Sequence, residues 1–165
     1  MTKLKYDKVV SVCFSGHRNV PFGKQKELKQ RLKSEIAKAY ADGFRCFYCG
    51  MAMGFDLLAA EAALSLQSEL RDLQVIAVVP FRGQSERWSI EAQAKYKTIL
   101  GMVGDIVVLS ERYYNGCLLR RNDYMVCRSS RLIAYYNGLN KGGTFYTVRK
   151  SSQSGLNIVN LYNSV

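Results

Sequence analysis

The chain has 165 residues, of which 48% are hydrophobic and 22% are charged, a composition typical of a globular protein rather than a disordered or fibrous one. This length suits one hydrophobic core, so we expect residues 1–165 to form a single domain. No stretch reaches the roughly 18 unbroken apolar residues of a membrane span, and the amino-terminal apolar run is too short for a signal peptide. We therefore expect a cytoplasmic protein with no membrane partner.

The net charge of +11, from 24 Lys and Arg against 13 Asp and Glu, favours an anionic partner such as a nucleotide, a nucleic acid or an acidic protein. Much of the excess lies in residues 23–43, where apolar residues recur every four positions and lysines fill most of the others. This pattern predicts an amphipathic helix. Its basic side is interpreted as a solvated face, because no aromatic residues alternate with the lysines to stack bases.

Short β-rich runs alternate with helix-length segments along the chain. The runs, in order, are VVSVCFS, FRCFYC, VIAVVPF, DIVVLS, RLIAYY and NIVNLY. The helical segments lie near residues 24–42, 56–71, 85–100, 117–129 and 144–153. Runs that are apolar throughout are typical of strands covered on both faces. The alternation therefore predicts an α/β fold, a single Rossmann-like, doubly wound and mainly parallel sheet with helices on both faces.

The five cysteines are odd in number and mostly lie in apolar runs, which indicates reduced and buried side chains. Cys46 and Cys49 form a C-x-x-C pair, but this pair closes a predicted strand, where residues three apart face opposite ways. A zinc site would need a second such pair, and His17 is the only histidine. We therefore expect no metal site and no cofactor.

Glycines, arginines and helix-capping residues follow the predicted strands. In an open parallel sheet, ligands bind beyond the carboxyl ends of the strands, where helix amino termini present backbone N–H groups. Glycine lets the backbone approach a ligand closely, and arginine complements phosphate. We expect the loops after the first, second, third and fifth strands to form one electropositive pocket, closed on one side by a segment after the fourth. The candidate ligand-binding residues are Gly16, His17, Arg18, Gly50, Met51, Gly54, Asp56, Arg82, Gln84, Arg121, Asn122, Gly142, Gly143 and Thr144.

Some of these residues also have purely structural interpretations. Asp56 is suited to cap the helix that it opens, and His17 is suited to close a turn. Arg82 is also placed to cover Trp88 by a cation–π contact. At Gly54 we expect the ligand interpretation to hold, so that Gly54→Val excludes the ligand sterically and leaves the fold largely intact.

Five motifs together resemble one family. SGHR, GMAMGFDLLAAEAAL, VIAVVPFRGQSERW, RRNDYMVCRSSRLIAYYNG and GGTFYTV occur in this order at the strand ends. Over roughly residues 8–162 they are similar to the YpsA-like branch of the SLOG superfamily, which includes the DNA-processing protein A domain and the LOG phosphoribohydrolases. The resemblance implies a Rossmann-like fold with a pocket for a nucleotide-derived ligand. Within it, Arg121 and Asn122 match a recurring RN pair.

The leading interpretation is a module that binds or senses a nucleotide-derived small molecule. One alternative is a nucleotide-cleaving enzyme of the N-glycosidase or phosphoribohydrolase type, and another is a single-strand DNA-binding protein resembling DNA-processing protein A. LOG phosphoribohydrolases carry a catalytic glutamate after their glycine loop, whereas NKGGTFYTV places Thr147 where that acid would fall. A hydroxyl cannot replace a carboxylate as a base, so we name no catalytic residue. Tyrosines near segment ends, as in RYYNGCLL, would suit a homo-oligomer interface if they are exposed.

Overall fold

Six parallel strands form one sheet in the computed structural model, which describes residues 7–162. The strands are β1 (Ser11–Gly16), β2 (Cys46–Cys49), β3 (Gln74–Val79), β4 (Asp105–Val108), β5 (Arg131–Tyr135) and β6 (Asn157–Asn160). The α-helices of this part of the chain are α1 (Phe22–Ala41), α2 (Phe55–Ser65), α3 (Ile90–Leu100), α4 (Cys117–Val126) and α5 (Gly142–Gln153). Within residues 7–162, no helix is both long enough and apolar enough to cross a membrane.

The order of the strands, β4-β3-β2-β1-β5-β6, confirms the predicted doubly wound parallel sheet. The chain adds β2, β3 and β4 on one side of β1 and then returns to place β5 on the other side. There Val12 of β1 pairs with Arg131 of β5. This reversal creates a topological switch point between β1 and β5, where a crevice opens beyond the carboxyl ends of the strands.

Neighbouring side chains along a strand pack against different helix layers. Phe14 and Phe47 lie in a hydrophobic cluster with α1, α2 and α3, and their ring centroids are 6.0 Å apart. Cys13, next to Phe14, lies in a second cluster with Met125 of α4 and Val148 of α5. Both faces of the sheet are therefore covered by helices, which explains why the strand runs are apolar throughout.

The C-x-x-C pair of β2 is divided between these two clusters. Cys46 packs on the side of α4 and α5, and Cys49 packs on the side of α1 to α3, as strand alternation predicts. Cys127 is the exposed one of the five cysteines. Burial raises the pKa of Cys49 and raises that of Cys13 to about 12, so both thiols stay neutral at physiological pH.

Helix α3 begins later than the sequence pattern predicts. Ser89 caps it by accepting a hydrogen bond from the N–H of Ala92 at 3.2 Å, and residues 82–87 before it form turns. Helix α2 ends at Ser65, before the predicted end near residue 71, and the residues that follow it form turns. The segment between β3 and α3 is therefore a long loop with its own surface.

Gly54, at the end of the loop after β2, packs against the loop after β1. Its φ of 80° favours glycine, and a Cβ at this position would overlap the carbonyl oxygen of Arg18. The next residue, Phe55, donates its backbone N–H to the carbonyl oxygen of His17 at 3.1 Å, and its ring packs on Gly16. The expectation that Gly54→Val leaves the fold intact is therefore wrong, because any side chain here must displace the loop after β1.

We expect Gly54→Ala to destabilise the protein more than Gly155→Ala does. Both glycines have a φ of 80°, where a side chain costs about 1 to 2 kcal/mol, and the ψ of −121° at Gly54 lies outside the left-handed helical region, which raises the backbone cost there further. Only at Gly54 does the new Cβ meet other atoms, which adds about 1 to 3 kcal/mol, since a Cβ at Gly155 has nothing within 4 Å. Urea unfolding of the two variants measures the difference. Equal losses of stability would show that the contact with Arg18 does not constrain the loop.

Candidate functional site

A cavity of about 600 Å³ lies at the carboxyl edge of the sheet, where the loops after β1, β2, β4 and β5 meet. We call it the main cavity. The predicted site residues that line it are Gly16, His17, Arg18, Asp56, Arg121, Asn122, Gly142, Gly143 and Thr144. Four separate stretches of the sequence are therefore brought together at the switch point, as expected for an open parallel sheet.

The other predicted residues lie outside the main cavity. Gly50 and Met51 are buried and do not line it. Gly54 borders a smaller cleft of about 390 Å³, which Arg18 also lines. Arg82 and Gln84 line a neighbouring cavity of about 630 Å³, which we call the second cavity. The expectation that the loop after β3 shares one pocket with the others is therefore corrected, because its residues Arg82 and Gln84 line the second cavity and not the main cavity.

Gly50 makes room for a buried guanidinium. Its carbonyl oxygen accepts hydrogen bonds from Nη1 of Arg121 and from Nε2 of Gln84, the latter at 3.3 Å. A Cβ at Gly50 would lie only 2.6 Å from Nη1 of Arg121. Nε of Arg121 donates to Oδ1 of Asn122 at 2.8 Å, so the guanidinium is held from two sides. Gly50 and Gln84 thus support the wall of the main cavity that Arg121 and Asn122 form.

The turn after β2 carries backbone strain. Met51 has a φ of 62°, the one positive value found for a non-glycine residue in the described part of the chain, and its side chain is fully buried. Non-glycine residues adopt this conformation at a cost of about 1 to 3 kcal/mol, and such residues cluster at functional sites. The strained turn directs the backbone N–H of Ala52 toward the carboxylate of Asp56.

Two helix amino termini border the main cavity without a capping side chain. Gly116 precedes α4 and Lys141 precedes α5, and neither residue makes a side-chain hydrogen bond to its helix. The first turns of both helices line the main cavity and contain no acidic residue. Backbone N–H groups in a first helical turn carry partial positive charge. Together with the exposed residue Arg18, these turns make this part of the main cavity electropositive.

The start of α4 near residue 117 was predicted from the sequence, but its part in the site was not, because only Arg121 and Asn122 were named as ligand-binding residues after the fourth strand. The signal was present in Asn115 and Gly116, a turn-forming pair directly before an apolar run. In the structure Gly116 has a φ of 94° and turns the chain into α4. Both residues of the pair line the main cavity.

Asp56 is the acidic residue that lines the main cavity in the described part of the chain. It is only 5% exposed, and its Oδ2 accepts a hydrogen bond from the N–H of Ala52 at 3.2 Å. Its Oδ1 has no hydrogen-bond partner within residues 7–162. Gly54, not Asp56, holds the N-cap position of α2, so the capping interpretation is corrected. Burial raises the pKa of Asp56 to about 6, against the opposing effect of the charge on Arg121.

His17 ties the loop after β1 to the loop after β5. Its Nε2 accepts a hydrogen bond from the backbone N–H of Asn137 at 2.9 Å, and its backbone N–H donates to the carbonyl oxygen of Tyr135 at 3.2 Å. Burial lowers the pKa of His17, which favours the neutral ring. These contacts match the turn-closing interpretation, while the residue also borders the main cavity.

The position that carries the catalytic acid in LOG phosphoribohydrolases is unsuited to chemistry here. Thr147 is fully buried, and its Oγ1 donates to the carbonyl oxygen of Gly143 at 3.0 Å. Its hydroxyl therefore hydrogen-bonds within α5. Among residues 7–162, no group of three or more His, Cys, Asp or Glu side chains is arranged to hold a metal ion.

The second cavity adjoins the main cavity. Arg18, Tyr113 and Leu118 line both of them. Arg82, predicted to contact the ligand, makes a two-point ion pair with Glu111, with Nε and Nη2 at 2.9 and 3.1 Å from the carboxylate oxygens. Both side chains of this pair are largely exposed.

We expect Asp56→Asn to stabilise the protein near pH 8 and to change its stability little near pH 4. The pKa of Asp56 is raised from 3.8 to about 6 in the folded state, so the folded protein binds this proton more tightly than the unfolded chain. Stability of the wild type should therefore fall by up to about 3 kcal/mol as the pH rises through this interval, and asparagine avoids that loss. Urea unfolding of both proteins at the two pH values tests this. An identical pH dependence of wild type and variant would contradict it.

Comparisons with known proteins agree with this fold. UPF0398 protein YpsA of Bacillus subtilis strain 168 is 26% identical over 121 residues, which cover 72% of this chain and 67% of the relative. A UPF0398 protein of Bacillus licheniformis is 25% identical over 129 residues, covering 77% of this chain and 70% of the relative. A solved structure of DNA processing protein A from Helicobacter pylori, described for its single-stranded DNA binding mode, has a TM-score of 0.63 and 21% identity. It covers 94% of this chain, which spans 66% of that protein, just under two thirds.

A family model confirms the resemblance that the five motifs indicated. The YpsA model, described as the YspA SLOG family, matches residues 12–159. The match runs from β1 to β6 and includes every loop that lines the main cavity. Because it spans nearly the whole chain, it establishes that the chain belongs to the YspA SLOG family.

Proposed function

We propose that the chain binds a nucleotide-derived small molecule in the main cavity, with a phosphate group at the amino termini of α4 and α5. The observation that carries this proposal is the meeting of two uncapped helix termini at one cavity. Backbone N–H groups and the helix dipole stabilise anions at such termini. Arg18 lines the same cavity and is available for a charge-assisted hydrogen bond to phosphate.

Asp56 adds an acceptor suited to a sugar hydroxyl. Its Oδ1 is buried beside the main cavity and has no partner in the described part of the chain. A buried polar atom without a hydrogen bond is destabilising, and a ligand hydroxyl that donates to it removes this cost. A phosphate site and a hydroxyl acceptor in one cavity suit the phosphate and ribose of a nucleotide better than they suit an inorganic anion.

The second candidate function is cleavage of the bond between base and ribose by a nucleotide N-glycosidase. The observation that favours it is the carboxyl of Asp56, because burial raises its pKa to about 6, close to the range useful for acid–base work. Incubation of AMP with the protein, followed by chromatography for free adenine, separates the two functions. Adenine release that is lost in Asp56→Asn supports the enzyme, whereas AMP that is bound and recovered intact supports a binding module.

We expect Gly143→Glu to abolish nucleotide binding without lowering stability. Gly143 is the exposed second residue of α5, and the nearest atom to a Cβ there is Nδ2 of Asn122 at 3.8 Å, an ordinary van der Waals contact. A carboxylate in the first turn stabilises a helix but repels a phosphate group at the same place. Gly23 is the matched control, because it is the second residue of α1, has open space for a Cβ and does not line the main cavity.

Thermal unfolding with AMP, ADP, ADP-ribose and cyclic di-AMP measures this effect. A ligand at about 100 times its Kd stabilises a protein by about 2.7 kcal/mol, which raises the Tm by about 5 °C or more at this chain length. The wild type and Gly23→Glu should show this rise with the bound compound, and Gly143→Glu should show none. A full rise in Gly143→Glu, or no rise in the wild type with any of the four compounds, would contradict the proposal.

A further inference from the structure

The second cavity is rich in arginine. Arg18, Arg82, Arg87 and Arg112 line it, together with two glutamates. One of these glutamates, Glu111, is held by Arg82. Arg18, Arg87 and Arg112 are exposed and make no ion pair with any residue between 7 and 162. The second cavity therefore keeps an excess of positive charge that faces solvent.

Three aromatic side chains, Phe81, Trp88 and Tyr113, line the same cavity. The rings of Phe81 and Tyr113 meet edge to face with centroids 5.4 Å apart, and Tyr113 is 63% exposed. Trp88 is half-buried and stands edge-on to Tyr96 with centroids 5.2 Å apart. Aromatic faces beside arginines bind nucleobases by stacking, whatever the identity of the base.

The second cavity continues the main cavity past the start of α4. Leu118, which lines both, lies in the first turn of this helix. The helix terminus that we assign to a phosphate group therefore lies at the boundary between the cavities. Their volumes, about 600 and about 630 Å³, are each in the range of a pocket for one small organic ligand. A phosphate bridge at the boundary has room for one nucleoside on either side.

We infer that the ligand is a dinucleotide, two nucleosides joined through phosphate groups. The bridging phosphates lie at Arg18 and the amino terminus of α4, and the second base stacks against Tyr113 and Trp88. Arg87 and Arg112 attract the phosphate group that is attached to the second nucleoside. The inference rests on the proposed function, because the first nucleoside occupies the main cavity.

Titration of the wild type with AMP and with diadenosine diphosphate tests the inference. Trp88 is the only tryptophan in the chain, so its fluorescence reports on the second cavity. We expect the dinucleotide to bind about tenfold or more tightly than AMP by calorimetry, since one stacked base and one charged hydrogen bond contribute on this scale. We also expect the dinucleotide to quench Trp88 more strongly than AMP does.

Two double variants test whether the preference for the dinucleotide arises in the second cavity. Arg87→Ala with Arg112→Ala should reduce the preference for diadenosine diphosphate over AMP, leaving only the part that stacking on Tyr113 and Trp88 contributes. Arg71→Ala with Arg149→Ala is the matched control, because it removes two charges from exposed residues that line neither cavity. This control should keep the preference for the dinucleotide. Its loss in both double variants would mean that overall charge, not the second cavity, causes the preference, and would overturn the inference.

Other outcomes separate this inference from the proposed function. Equal affinity and equal quenching by AMP and the dinucleotide overturn the inference, and the proposed function stands if Gly143→Glu still abolishes AMP binding. Failure of both compounds to bind the wild type overturns the inference, and it overturns the proposed function as well if none of the four compounds of the thermal test raises the Tm. Tighter binding of a thymidine oligonucleotide than of the dinucleotide, with quenching of Trp88, overturns the inference in favour of single-stranded nucleic acid.

Discussion

Much of the site depends on the buried hydrogen bond from the guanidinium of Arg121 to the carbonyl oxygen of Gly50. Moving such a cation out of water costs several kcal/mol unless its donors find partners. Gly50 and Asn122 provide these partners, and the charge of Asp56 opposes the effect of burial, which lowers the pKa of Arg121. Helix α4 follows β4, the outermost strand on its side of the sheet, so this bond anchors the returning chain near the switch point. The start of the same helix forms part of the wall of both cavities.

The environment of Asp56 shows a conflict between protein stability and function. Burial disfavours its carboxylate, although an amide could accept the same hydrogen bond from Ala52 without carrying a charge. Strained backbone at Met51 lies in the same turn. Proteins keep such unfavourable features mainly where binding or catalysis requires them. The combination of a strained turn and a buried carboxyl oxygen without a partner is therefore a stronger indication of a functional site than either feature alone.

The fold was predictable because apolar runs separated by helix-length segments leave few possible arrangements. The positions of Gly16 and other strand-end residues followed from this, since parallel strands share one carboxyl edge. The role of Gly50 was not predictable, because its contact comes from a side chain 71 residues later. Gly54 was assigned to ligand binding because the sequence shows only that a Cβ is absent. A close backbone and a bound ligand both require that absence. The separation of Arg82 from the main cavity was not predictable, because no local pattern reveals that the loops at this edge of the sheet form two adjoining cavities.

The pairing of β1 with β5 also determines when the main cavity can form. Val12 and Arg131 are paired although most of the chain lies between them. Contacts between such distant segments form slowly during folding, because the long loop between them must first be closed. The main cavity lies along this seam, so it is complete only after the two parts of the sheet, β1 to β4 and β5 with β6, have paired. A molecule that bridges the seam would oppose its opening, and the lifetime of the bound complex would then be coupled to the lifetime of the folded chain.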